Sequence, residues 1–198
     1  MTHPNLDLGA LIGARICHDL ISPVGAIANG LELLSLSGAP DGPEMSLVSQ
    51  SALSANARIR FFRIAFGLSA DGQSVSSGEM TSVLGDVYCE KCSVDWQIDG
   101  PLPRRVAQAV FLALLCAEQA VPFGGVLTVS GSADAIRVEA TGTRVAARPE
   151  HWAILDTPEV LRGVPATQVQ FAMLPVVVSG LGRRMNYTLS DQLACIVF

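Results

Sequence analysis

The chain is short of charge: Asp, Glu, Lys and Arg make up 16% of its 198 residues, against 49% hydrophobic residues. That is more apolar than a soluble domain ordinarily is, and it predicts apolar surface buried at a subunit interface. An excess of base is missing too. A net charge of −5 and a pI near 5.1 argue against nucleic acid as a partner, because that binding runs through Lys and Arg on phosphates. No stretch approaches the roughly 18 uninterrupted apolar residues of a bilayer span, and the richest run, Val106 to Ala117, reads as a buried helix. The start, Met1 to Asp7, places no basic region before an apolar one, so no secretory signal is expected. A cytoplasmic location without membrane contact follows. Five cysteines in apolar surroundings do not suggest a disulfide framework. Cys89 and Cys92 have the spacing of a metal or redox pair, but a zinc site needs further ligands and none is nearby. They read as reduced, small buried side chains.

Internal repeats and low-complexity tracts are also absent. What stands out is one run, Arg15-Ile16-Cys17-His18-Asp19-Leu20-Ile21-Ser22-Pro23-Val24. A histidine followed at once by an acid, with a proline shortly after, lies in the middle of a long helical pattern. Proline inside a helix costs about 3 kcal/mol relative to alanine, since it lacks an N–H and crowds the carbonyl four residues back. That carbonyl belongs to Asp19. A chain built for stability alone rarely carries such a defect there, so His18 reads as a working histidine.

Ala10, Gly13, Cys17, Leu20, Val24, Ile27, Leu31 and Leu34 step by three and four, a seam of the bundle type. The pattern predicts a helix ending near Ser37, where Gly38 to Pro43 supply turn chemistry. His18 sits one residue off the seam, on a flank with Ala14, Ile21, Ser22 and Gly25. A second helix is predicted from about Glu44 to Leu68, with Val48, Ala52, Ala55, Ile59, Phe62 and Phe66 in step. Residues 1–70 thus form a helical hairpin, and two copies complete a four-helix bundle. A purely structural dimerisation hairpin fits this pattern equally well. Residues 71–78 are small and polar, a linker. From 79 to 198 the pattern alternates: helices over about 80–91, 103–120, 149–155 and 167–181, and strands over about 94–99, 126–130, 135–140, 185–189 and 193–198, with a turn at Gly124-Gly125. That is an α/β sandwich, one mixed sheet with helices on one face, so the class overall is α+β.

His18-Asp19-Leu20-Ile21-Ser22-Pro23 resembles the H-box of sensor histidine kinases, His-Glu/Asp-x-x-Thr/Asn/Ser-Pro. The resemblance in element order and length spans nearly the whole chain. It implies a phosphoacceptor on the first helix of a dimeric hairpin, followed by a sandwich like a kinase ATP-binding domain. The nucleotide motifs of that domain are missing here. The magnesium-binding Asn-x-x-x-Asn-Ala helix falls on Leu112 to Gly125, which holds no asparagine. The adenine motif Asp-x-Gly-x-Gly falls on Ala140-Thr141-Gly142-Thr143-Arg144, and Val164 to Gln168 has no glycine loop to cradle a triphosphate. A kinase-like hairpin joined to a degenerate ATP-binding fold is similar to the alphaproteobacterial ChpT-type histidine phosphotransferases.

That resemblance implies a relay in which His18 takes a phosphoryl group from a receiver aspartate, as on a hybrid histidine kinase, and passes it to a response-regulator receiver. Each receiver brings its own aspartate and Mg²⁺, so no metal or nucleotide cofactor is expected here. The chemistry asks for a neutral imidazole nitrogen and for positioning and charge stabilisation. Asp19 would orient the imidazole or take its proton; otherwise it is an exposed helix acid. Ser22, one turn on, would hydrogen-bond the phosphoryl group or is a small filler, and Pro23 shapes the helix. Arg15, Ile21, Gly25, Ala28 and Arg58 are candidates for meeting the receiver, although Arg15 also reads as a solvated arginine. Arg58, Arg60 and Arg63 either face an acidic receiver or form a wet helix face. Trp96 and Trp152 read as packing residues, His151 as structural or exposed, and His3 as part of a frayed end. Two other readings compete. A divergent kinase would bind nucleotide, and a non-catalytic dimeric adaptor for receivers would tolerate loss of His18.

Overall fold

The computed structural model describes residues 4–37, 43–69, 72–89, 91–156 and 164–198; His3 and residues 38–42, where the sequence predicts a turn, lie outside them. The chain opens with α1 (Pro4–Ser37) and α2 (Pro43–Ala65). α1 continues through Pro23, which leaves the Asp19 carbonyl without its helical donor. The two helices come close at Gly30, where an added Cβ would collide with the Val48 side chain. The predicted seam does not face α2. Val24 and Leu31 are each 54% exposed, and Cys17 is exposed as well. One correction follows from its composition: Leu8–Leu34 is long and apolar enough to cross a membrane by length and composition, which counting uninterrupted runs missed.

The stretch read as a linker carries a strand, β1 (Ser74–Val75), paired antiparallel with β3 (Leu102–Pro103). α3 (Ser77–Val87) begins earlier than its apolar pattern because the Ser76 hydroxyl accepts the Glu79 N–H at 3.1 Å. Ser followed three residues on by Glu is a helix-start signature in its own right. α3 also ends earlier, handing over to Tyr88 as its C-cap. β2 (Cys92–Trp96) follows, then α4 (Arg104–Ala117) with a 3-10 turn at Glu118–Ala120. Next come β4 (Gly125–Ser132), β5 (Ala135–Thr141) and α5 (Pro149–Trp152). α6 (Val169–Gly180) is led in by a 3-10 turn at Ala166–Gln168, and β6 (Asn186–Leu189) and β7 (Leu193–Val197) close the chain.

The main sheet has the order β2-β4-β5-β7-β6, with β2 parallel to β4 and the other neighbours antiparallel. Alternation along each strand places Leu127, Val129, Ile136, Val138, Ala140, Ala194 and Ile196 in the core, with Val129 opposite Val138 and Val138 opposite Ile196. α4 packs on that sheet and is buried at every position from Val106 to Ala117, as a helix apolar all round must be. Gly124 (φ +98°) makes the turn into β4, with the Lys91 carbonyl in the space a side chain would need.

The core does not stop at the hairpin. Phe61, Phe62, Ile64 and Ala65 of α2 belong to the same cluster as α3, α4 and the sheet, and the Phe61 ring meets Phe111 at 4.8 Å between centroids. Arg60 pairs with Asp86 at 3.0 Å and Arg63 with Glu79 at 3.3 Å, so both arginines tie α2 to α3 within the chain. Trp152 is buried against Phe171 and Tyr187, while the half-buried Trp96 donates its indole N–H to the Ile98 carbonyl. Phe111 is fully buried at the junction of hairpin and sheet. Phe111→Ala is expected to cost about 3–5 kcal/mol, read as a lowered midpoint in denaturant unfolding with an unchanged slope.

Candidate functional site

His18 lies on the solvent side of α1 with its side chain 67% exposed, while the neighbouring Asp19 is only 11% exposed. One Asp19 oxygen meets His18 Nδ1 at 2.9 Å, and the other accepts from Arg15 Nε at 2.9 Å. A carboxylate paired with an arginine accepts and does not donate, so the proton of a neutral His18 resides on Nδ1. That leaves the lone pair of Nε2 facing solvent. Asp19 is therefore not an exposed helix acid; it is largely buried and in hydrogen-bond contact with the ring.

Arg15 is a correction. It is 7% exposed, not solvated, and turns inward to donate to the Thr167 carbonyl at 2.5 Å. Buried there, it braces Asp19 at the edge of the cleft that His18 lines. The Thr167 carbonyl also accepts from Gln119 at 3.1 Å and Gln170 at 3.1 Å. One backbone oxygen thus joins α1, the turn after α4 and the start of α6. The sandwich domain holds the histidine's acid in place.

The other predicted residues divide by face. Ser22, Ile21 and Ala28 are exposed and Gly25 and Pro23 half-buried, all on α1. Arg58 is half-buried and faces a small cavity of about 30 Å³ behind Asp19, together with Arg15, Tyr88 and Glu118. It is not on the cleft that His18 lines. That cleft, about 650 Å³, lies between α1 and the sandwich; Phe123, Arg144, Arg148 and His151 form its opposite wall. The Arg144 guanidinium stands over the Phe123 ring at 6.0 Å. His151 Nε2 meets Gln168 at 2.5 Å, and burial holds its pKa below the ordinary histidine value.

Sequence reasoning missed Thr167, Gln119 and Glu118. Glu118 did carry a signal. It is an acid at the C-terminal cap of a helix whose last nine residues are all apolar, the end where the helix dipole disfavours negative charge. Thr167 acts through its carbonyl, which no residue type announces. Where the kinase pattern wants the adenine-reading aspartate, Ala140 sits fully buried in β5 between Leu127 and Ala194. Cys89 corrects the reading of the cysteine pair: it is exposed, and Cys92 is half-buried. Among the described residues, no group of His, Cys, Asp and Glu side chains has the size of a metal site.

A helical hairpin feeding an α/β domain built on one mixed five-stranded sheet defines the structural class. The sequence profile of the histidine phosphotransferase C-terminal domain matches residues 77–192, and the chain belongs to that family. The protein phosphotransferase ChpT of Brucella abortus (strain 2308) is 44% identical to it over 127 residues, 63% of this chain and 60% of that protein. The chain thus matches less than two thirds of that relative's length. The solved structure of a bacterial phosphotransferase, 30% identical, superposes with a TM-score of 0.82 over 100% of this chain and 98% of that one.

Proposed function

We propose that the protein is a phosphorelay histidine phosphotransferase that shuttles a phosphoryl group through His18 between aspartates of receiver domains. The observation that carries this reading is the exposed imidazole with Nδ1 engaged by Asp19 and Nε2 free. In the forward step the Nε2 lone pair forms a bond to the phosphorus of a receiver's aspartyl phosphate. The P–O bond to the aspartate breaks, and that carboxylate leaves with its electron pair. The imidazole, still carrying its Nδ1 proton, becomes cationic, and the Asp19 carboxylate beside it offsets the charge. Transfer to the next receiver reverses these events. The receiver supplies Mg²⁺ at its own aspartate, so the chain itself needs neither metal nor nucleotide. A buried Ala140 at the adenine position favours a relay over a kinase.

Ile21, one turn from His18, and Ala28, further along α1, are exposed and suit the apolar helix of a receiver. Arg144 and Arg148 across the cleft suit the acidic rim around its phosphorylated aspartate. The exposed stripe of Val24, Leu31, Leu53 and Ile59 on the hairpin is the surface on which a second copy would pack into a four-helix bundle. This reading places the protein in the cytoplasm. Replacing Val24 and Leu31 together by Asp is expected to convert a dimer to monomers in sedimentation analysis; an unchanged sedimentation coefficient would remove that face from the interface.

The test is transfer of radiolabel from a phosphorylated receiver, supplied by a hybrid histidine kinase and ATP, to the purified protein. Labelling only when the phosphorylated receiver is present is expected. Labelling by ATP alone would make the chain a kinase, and no labelling from any receiver would leave an adaptor.

A further inference from the structure

The cavity behind Asp19 gathers charge that phosphoryl transfer does not use directly. Arg15 and Asp19 of α1, Arg58 of α2, Tyr88 at the end of α3 and Glu118 at the end of α4 all line it. Glu118 is partly exposed as a residue, yet its carboxyl group is packed round by protein atoms, and that burial raises its pKa above the ordinary glutamate value. Tyr88 is 9% exposed; its hydroxyl lies against Glu118 without a hydrogen bond of standard geometry. Besides these groups, the Cys92 thiol of β2 and the Cys116 thiol of α4 feel the Glu118 charge, and burial raises the pKa of both. A buried acid at a helix C-terminus is an expensive choice for a stabilising residue. Such perturbed groups beside a reactive side chain mark functional positions.

We propose that Glu118 is a positioning residue for the phosphoryl transfer: across the cavity it shares Arg15 with Asp19, and so sets how much of the Asp19 charge is left for the His18 imidazole. This rests on the phosphotransfer reading above. When Glu118 is ionised, Arg15 divides its charge between two carboxylates. Asp19 then gives more of its own to an imidazole that turns cationic as the N–P bond forms. When Glu118 is protonated, Arg15 belongs to Asp19 alone, and the stabilisation of the phosphorylated ring is muted. Transfer therefore speeds up as pH rises through the titration of Glu118. Tyr88 tunes the point at which this happens, because its hydroxyl favours the ionised carboxyl.

The stability sign runs the other way. A carboxyl whose folded pKa is raised contributes stability at low pH and loses it as pH climbs through the folded value. Glu118→Gln is therefore expected to fold at least as stably as the wild type at neutral pH, which separates a positioning role from a structural one.

The experiment measures single-turnover transfer from one phosphorylated receiver, from alkaline pH down to the lowest pH at which both proteins stay folded, for wild type, E118Q, Y88F and H18A. Each rate is taken as a ratio to wild type at the same pH, which cancels the receiver's own dependence. E118Q is expected to match wild type at the acid end and to fall roughly three- to thirtyfold behind at the alkaline end, the range over which residues acting through a packed network tune a site. Y88F is expected to move the wild-type step to higher pH. An E118Q ratio flat across pH, or a Y88F profile identical to wild type, overturns the inference while leaving the relay intact. H18A that still accepts label overturns the relay reading itself, and the inference with it. Were E118Q to unfold, the Y88F profile alone would decide.

Discussion

His18→Ala abolishes labelling by a phosphorylated receiver, a loss of roughly 10³-fold or more, as expected when the atom forming the covalent bond is removed. The fold should not notice. The side chain is 67% exposed, and its one recorded partner is its own neighbour, Asp19, so thermal unfolding of H18A should coincide with wild type. His151 is the control the structure supplies. It lines the same cleft, but its Nε2 is taken by Gln168, and burial disfavours a cationic ring there. His151→Ala is expected to keep transfer within about threefold of wild type, the scale of a cleft contact that takes no part in the chemistry. The label on wild type should be lost in acid and kept in alkali, as a phosphoramidate is. If H18A is labelled and H151A is not, the phosphoacceptor has been assigned to the wrong wall of the cleft.

Much of this was legible because the signals were local and periodic. The helix-forming pattern of α1 and α2, the apolar block of α4 and the alternation in β4, β5 and β7 each follow from residues within one element. What failed to show was whatever depends on two elements meeting. The apolar stripe of α1 suggested a buried seam, yet in the single chain it stays open; periodicity tells that a face must be covered but not by what. The stretch Ser74–Val75 is too short to signal a strand and exists because Leu102–Pro103 offers it a partner. At the site, His18, Asp19 and Pro23 were readable as a contiguous run. Arg15 reads from sequence as solvated, but it is buried, because its partner is a backbone carbonyl 152 positions away. Arg60 and Arg63 read either as a face for an acidic receiver or as a wet helix face, and neither reading foresees that Asp86 and Glu79 of α3 pair with them. Charge on a helix is read from sequence, but its counter-charge is a matter of tertiary contact.

Asp19→Asn should slow transfer by about 10²–10⁴-fold, the range seen when an acid that orients a catalytic histidine becomes an amide. Asparagine is nearly isosteric, so the backbone and the helix are undisturbed. Two things change. An amide can turn its NH₂ toward His18, which asks Nδ1 to accept and moves the imidazole proton onto Nε2, the nitrogen that must attack. Even with its oxygen toward the ring, the amide carries no net charge to offset the cation formed as the N–P bond closes. Arg15 meanwhile loses the carboxylate it meets at 2.9 Å while remaining buried, and a charge left without its partner costs about 3–5 kcal/mol at most. D19N is therefore expected to be slower and less stable together, so the rate alone does not isolate the chemistry. Arg15→Gln separates the two effects. It too removes half of the buried ion pair, but it leaves the Asp19 carboxylate on Nδ1 with its charge undivided, so its melting temperature should fall with that of D19N while its transfer rate is kept or raised. Should D19N and R15Q lose rate in the same proportion, Asp19 acts only by holding the helix in place. Should D19N alone collapse, its charge on the imidazole is what the relay depends on.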